Sequence, residues 1–281
     1  MSTENSSDPK KILGLDVPSD DYDLPVEEDY DTSVIIPDGY MSASRLGKYL
    51  KCGEDFRRSY VLKQGYVSNA PMALGRTVHS LVETTLRQKM ESGGTLRNIE
   101  EAFDEAATTT AAEFSEVEGL EEPVASWTDE ARRLYQTWHT MRAPFINPIA
   151  VEERFTANVN GIKTVGVIDL IDEQESGLEL IDLKVVKRKK SIKDVKESLQ
   201  LGLYGHVKGI PTVGFDSLVK GTVPKIERVV DILEPRETRW AASLLRETAE
   251  LISAGVFPKT SPDSWWCSDR FCSWWSDCRG K

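Results

Sequence analysis

Gly166-Val-Ile-Asp169, followed after a short break by Leu180-Ile-Asp182-Leu-Lys184, is the stretch that decides how this chain reads. Residues 151–159, 164–171 and 178–186 around it are rich in β-branched side chains, and Asn160-Gly161 is a strong hairpin turn. Side chains alternate along a strand, so Asp182 and Lys184 project from one face. The turn near Gly177 brings the strand that carries Asp169 alongside. Two carboxylates converging beside a lysine can hold a hard divalent cation through oxygen. Such a cation polarises a phosphodiester and acidifies a bound water, while the lysine orients that water or balances developing charge. The bland alternative is an ordinary strand with a weak surface pair of Asp and Lys. The apolar setting of Val165, Val167, Ile168, Leu170, Leu180 and Ile181 argues against it, because buried acids rarely persist without partners or a metal.

Working outward, the period changes from two to helical on both sides. Ser42 or Ser44 caps a helix predicted over 45–60, with Leu46, Tyr49, Leu50 and Phe56 as its apolar stripe. A second amphipathic helix runs over 74–87 with Leu74, Val78, Leu81 and Val82 on one face, and further helices are predicted over 99–114 and 126–141. Pro144 and Pro148 end that run. After the third strand come a helix over 191–208, strands at 216–218 and 226–233, and a helix over 236–254 closed by Gly255. The order predicts an α/β fold with a mixed central sheet flanked by helices, behind an N-terminal helical region.

Composition bounds the class. Hydrophobic content of 40% and charged content of 29% are ordinary for a soluble globular chain. The net charge of −11 is concentrated: residues 1–39 hold eleven Asp or Glu and two Lys, leaving −2 for residues 40–281. The segment 1–39 therefore reads as an acidic, disordered or loosely docked tail, either solvated or a phosphate mimic over a basic groove. Residues 40–281 read as one domain. Residues 1–10 lack the apolar core of a secretory signal, and no apolar run approaches the roughly 18 residues of a membrane span. The expectation is a cytoplasmic protein without a membrane partner, in which Cys52, Cys267, Cys272 and Cys278 are metal ligands.

The segment around Asp169 and Lys184 resembles the RecB-like branch of the PD-(D/E)XK nucleases, which writes its motifs as G-x-x-D and D-x-K after an antiparallel hairpin. Gly75-Arg-Thr-Val-His79 resembles that family's G-x-x-x-H on an N-terminal helix, and Gln200-Leu-Gly-Leu-Tyr204 its Q-x-x-x-Y, where spacing of four puts both side chains on one helical face. Ile168 stands where the superfamily's name has proline. The resemblance implies a restriction-endonuclease-like core. It further implies that His79, Asp169, Asp182 and the backbone carbonyl of Leu183 bind Mg²⁺ or Mn²⁺, that Lys184 is catalytic, and that Gln200 and Tyr204 position the site or the DNA. Taken singly, His79 could pair with Glu83 one turn on, and Gln200 and Tyr204 could be packing.

Three cysteines spaced C-x4-C-x5-C at residues 267–278, with Cys52 far upstream, resemble the iron–sulfur staple of AddB-type nuclease domains and CRISPR-associated RecB-like exonucleases. Four thiolates suit a 4Fe-4S cluster or a zinc; the lack of a C-x-x-C pair favours the cluster. Trp265, Trp266, Phe271, Trp274 and Trp275 read as its apolar shell or as a platform for single-stranded bases. Lys187-Arg-Lys-Lys190 and Lys193 follow the proposed catalytic lysine and read as phosphate contacts, to which Arg45, Lys48, Arg57 and Arg58 could add. The function implied is a metal-dependent DNA exonuclease acting on single strands or ends, in recombination, repair or viral DNA processing. The rivals are a non-cleaving DNA-binding module and an accessory subunit of a helicase–nuclease or spacer-capture complex. No P-loop is present, so any helicase or recombination motor would be a partner chain.

Overall fold

The computed structural model describes residues 30–65, 68–115, 117 and 119–279. Five strands form one sheet in chain order: β1 (Pro148–Val159), β2 (Ile162–Gln174), β3 (Gly177–Val186), β4 (Thr212–Val219) and β5 (Lys225–Ile232). All neighbours are antiparallel except β3 and β4, which run parallel with Leu183 opposite Asp216 and Lys184 opposite Ser217. A parallel pair needs a crossover, supplied by the short helix α6 (Ile192–Lys196) and then α7 (Leu199–Lys208). The remaining helices are α1 (Ala43–Lys51), α2 (Gly53–Phe56), α3 (Ala70–Glu91), α4 (Ile99–Phe114), α5 (Val124–Met141), α8 (Pro235–Ser253) and α9 (Trp275–Cys278). The mixed α/β architecture is the one the sequence predicts.

Two apolar cores lie on opposite faces of the sheet. On one, Leu46, Phe56, Leu201, Leu203 and Leu245 of α1, α2, α7 and α8 pack against Ile168, Leu180, Val213 and Phe215. On the other, Leu74, Val78, Leu81, Leu134 and Trp138 of α3 and α5 pack against Leu170, Ile181, Leu183 and Leu218. Strand alternation assigns the faces: Leu180 belongs to the first core while Ile181 and Leu183 belong to the second. Asp182 and Lys184 therefore share the α7 face.

Two predicted helices are broken. The helix expected over 45–60 stops at Lys51, because Cys52 is extended (φ −165°, ψ 112°) and a π-helical turn, Arg57–Val61, follows α2. Gly53 sits against the C-terminal segment: its amide donates to the Pro258 carbonyl at 2.8 Å, and a Cβ there would lie 2.7 Å from the Pro258 nitrogen. The helix expected over 191–208 divides at Glu197–Ser198, where Ser198 caps α7 by accepting from Leu201 N at 3.2 Å. Most of the expected acidic tail lies outside the described residues. Its last part lies against the domain: Asp31 N donates to the Gly161 carbonyl, the Asp31 carboxylate pairs with Arg246 at 2.6 Å, and Asp38 pairs with Arg45. Among the described residues no helix is long and apolar enough to cross a membrane.

Candidate active site

The β2–β3 ladder runs from Gln174–Gly177 to Leu170–Ile181 and stops one pair short of Asp169 and Asp182. There the Asp169 side chain takes over from the backbone, accepting from Leu183 N–H at 2.8 Å. The opening lets side chains from both faces of the sheet reach the same place. From α3, His79 Nε2 lies 2.9 Å from the Leu183 carbonyl, and its Nδ1 lies 3.7 Å from both Asp169 Oδ2 and Glu152 Oε1. From α7, Gln200 Nε2 donates to Asp182 Oδ1 at 2.7 Å. Lys184 Nζ donates to Asp182 Oδ1 at 2.9 Å and stands 2.7 Å from Oδ2.

Tyr204, one turn beyond Gln200, packs edge-on against Phe155 with centroids 5.2 Å apart. Both rings lie over Gly166, where an added Cβ would come within 2.5 Å of Phe155 and 2.8 Å of Tyr204. The glycine of the G-x-x-D segment is thus the gap that admits the tyrosine.

The acids here crowd one another. Asp182 is 2% exposed, and the side chains of Asp169, Glu152 and His79 are 16%, 24% and 28% exposed. Burial, with the Asp182 charge adding to it, pushes the Asp169 carboxyl up to about 7. Burial works against a charged His79, but Glu152 and the two aspartates outweigh it and raise its pKa. Lys184 is likewise raised, because Asp182 beside it outweighs desolvation. Burial pushes the Tyr204 phenol up to about 12, so it stays protonated. Three carboxylates thus face one ammonium and one imidazole.

A second set of buried acids on the same strands shows the contrast. Asp172 and Asp216 both bind the Arg142 guanidinium, at 2.7 and 2.8 Å, and Glu179 pairs with Arg228. Each of those acids meets a guanidinium, whereas among the described residues Asp169 and Glu152 have no cationic side chain nearer than His79 at 3.7 Å. The oxygen-rich donors of the Asp169 group suit a hard divalent cation. The ligand atoms of His79, Glu152 and Asp169 all lie within 4.8 Å of one another.

Glu152 escapes a motif-based reading, yet a signal for it exists. The Asn160-Gly161 turn fixes the β1–β2 register, with Val151 opposite Leu170 and Glu153 opposite Ile168, so Glu152 faces Asp169. Its backbone is left-handed (φ +48°), a conformation that costs a non-glycine residue energy and often marks a working position.

The other predicted residues fall as follows. Lys187, Arg188 and Lys189 form an exposed loop directly after β3, with Lys189 3.4 Å from Glu227. Lys190 is half-buried over the Phe215 ring, and exposed Lys193 pairs with Glu197. Glu83 pairs with Arg87, not with His79. Arg45 is buried, held by the Pro37 and Tyr40 carbonyls between the Tyr40 and Tyr60 rings, so it is not a groove cation. Lys48 binds Asp55, and Arg58 binds Glu54 and Asp277 beside the Trp274 ring; both serve packing instead. Cys52, Cys267, Cys272 and Cys278 all line one cavity of about 400 Å³ between α1, α2 and the C-terminal segment. Burial raises the Cys272 thiol. The buried Trp266 indole N–H in the same lining has no protein partner among the described residues, so it is available to an acceptor such as a sulfur.

A solved structure of a protein from Eubacterium rectale, named as a candidate exonuclease, overlaps at a TM-score of 0.53 with 14% identity, covering 86% of this chain and 88% of its own. A second solved structure, SSO0001, overlaps at 0.42 with 14% identity over 88% of this chain and 89% of its own, too distant to carry an argument. No curated protein matches. The sequence profile of the PD-(D/E)XK nuclease superfamily matches residues 40–279, and the chain belongs to that superfamily.

Proposed function

We propose that the protein is a divalent-metal-dependent DNA nuclease, an exonuclease working on single strands or ends. The observation that carries this is the convergence of His79, Glu152 and Asp169 beside the Asp182–Lys184 pair, at the point where the β2–β3 ladder opens. His79, Glu152, Asp169, Asp182 and the Leu183 carbonyl would hold Mg²⁺ or Mn²⁺, which when bound polarises the scissile phosphate and acidifies a water. Lys184 keeps its ammonium next to Asp182 and balances charge developing on the phosphate. Gln200 fixes the Asp182 carboxylate, and Tyr204 packs beneath it as a neutral phenol. The exposed loop of Lys187, Arg188 and Lys189, with Lys190 and Lys193, takes the substrate backbone.

A 4Fe-4S cluster on Cys52, Cys267, Cys272 and Cys278 belongs to the same reading. The shared cavity and the indole N–H of Trp266 fit it. A cytoplasmic setting with a helicase or recombination partner is the matching context.

End-labelled single- and double-stranded DNA incubated with anaerobically purified protein, with and without Mn²⁺, tests the assignment. Asp182→Ala should lower cleavage by at least about a thousandfold while leaving DNA binding within about twofold. A variant that still cuts would overturn the assignment to this site, and unaltered protein that binds DNA without Mn²⁺-dependent cleavage would be a DNA-binding module instead.

A further inference from the structure

The cysteine cavity has a rim beyond the four thiols. Trp265 is 68% exposed and Phe271 51%, and their rings meet edge to face with centroids 5.1 Å apart at 88°. Trp265 meets Trp266 in the same way, at 5.6 Å and 83°. Large rings left in water at one spot mark a surface that meets something. The neighbouring charges narrow the class of partner. The Arg270 guanidinium lies 5.4 Å from the Phe271 ring, and Lys51 and Lys259 line the cavity with the two rings. All three cations are exposed, and none has an ion-pair partner among the described residues. The nearby acids are mostly engaged: Glu54 by Arg57 and Arg58, Asp55 by Lys48 and Trp274, Asp277 by Arg58, and Asp263 by the Ser261 hydroxyl, which leaves Asp269.

Exposed rings among cations that no acid neutralises match a single strand, whose bases can stack while its phosphates sit on the cations. A duplex hides its base faces inside the stack and offers the rings nothing. We infer that Trp265 and Phe271 form a base-stacking subsite for single-stranded DNA, with Lys51, Lys259 and Arg270 on its phosphates. The inference rests on the nuclease reading for the nature of the polymer, and adds its strand form and the residues that hold it.

The test is binding of a fluorescein-labelled thymidine oligonucleotide to the full chain in EDTA, over a series of salt concentrations. Trp265→Ala with Phe271→Ala should weaken binding by at least about fivefold per ring. The slope of log affinity against log salt should stay that of the unaltered protein, since no phosphate contact has gone. Lys51→Ala with Lys259→Ala should flatten that slope, and Trp265→Phe should retain most of the affinity. In the unaltered protein, photocrosslinks from an iodinated oligonucleotide should map to Trp265 or Phe271, whatever the variants do to folding. Equal affinity of the double variant, or crosslinks confined elsewhere, overturns the subsite. So does a changed sedimentation coefficient with unchanged affinity, which would make the rim a contact between copies. Intact binding and crosslinking without any Mn²⁺-dependent cleavage would sink the nuclease reading and leave the subsite standing.

Discussion

Asp169 shows how one side chain can be costly to the fold and useful to the site. Its carboxyl is pushed up to about 7 by burial and by Asp182. An acid whose folded pKa is raised penalises the native state as pH climbs: the penalty is absent below the usual carboxylate range, grows towards pH 7 and is complete above it. Asp169→Asn should therefore raise the melting temperature of metal-free protein at pH 8, by a margin worth at most roughly 4 kcal/mol. The gain should fade as pH falls towards 4, as thermal melts across that range would show. Mn²⁺ should stabilise the unaltered protein at pH 8 and do much less for the variant, because the ion's hold on Asp169 is what offsets the repulsion.

At the scale of elements, the site depends on α7 lying close to β2, and Gly166 sets that distance. Gly166→Ala would drive a methyl into the Phe155 and Tyr204 rings. Overpacking of this kind costs about 1–3 kcal/mol, so urea melts should move by that amount, and cleavage should fall because α7 carries Gln200. Much of this arrangement was legible beforehand. The Asn160-Gly161 turn, the alternation through Asp182 and Lys184, and the spacing of Gln200 from Tyr204 are local patterns, and local patterns survive in sequence. Glu152 was not found, because its importance comes from its partner across a ladder, which only register arithmetic exposes. Arg45 and Arg58 look like groove cations in the sequence because charge is visible there, whereas the carbonyls and acids that engage them are brought in from elsewhere. The break at Cys52 is hidden for the same reason: Pro258, against which the next residue Gly53 packs, lies about two hundred residues away.

Across the whole molecule, two long-range ties draw the chain's described ends onto the first core. Asp31 reaches Arg246 and the β1–β2 turn, while Tyr49 donates its hydroxyl to the Val256 carbonyl beside the Gly53–Pro258 contact. Shared metal ligation by the four cysteines would close a loop of more than two hundred residues, a constraint on the unfolded chain worth on the order of 5 kcal/mol at most in an entropic account. Cys267→Ala should thus lose the brown absorbance and its bound iron and melt at least several degrees lower, with the Asp182 chemistry retained in whatever fraction stays folded. Iron content and absorbance beside a thermal melt decide it; full stability without iron would remove the staple. The two cores on opposite faces of the sheet have a consequence of their own. Each contributes one of the helices that meet at Asp169 and Asp182, so the proposed seat of the ion is a seam through a laminate. Slippage between the layers would show first as weakened ion affinity, and an ion held there would act as the rivet that keeps them in step.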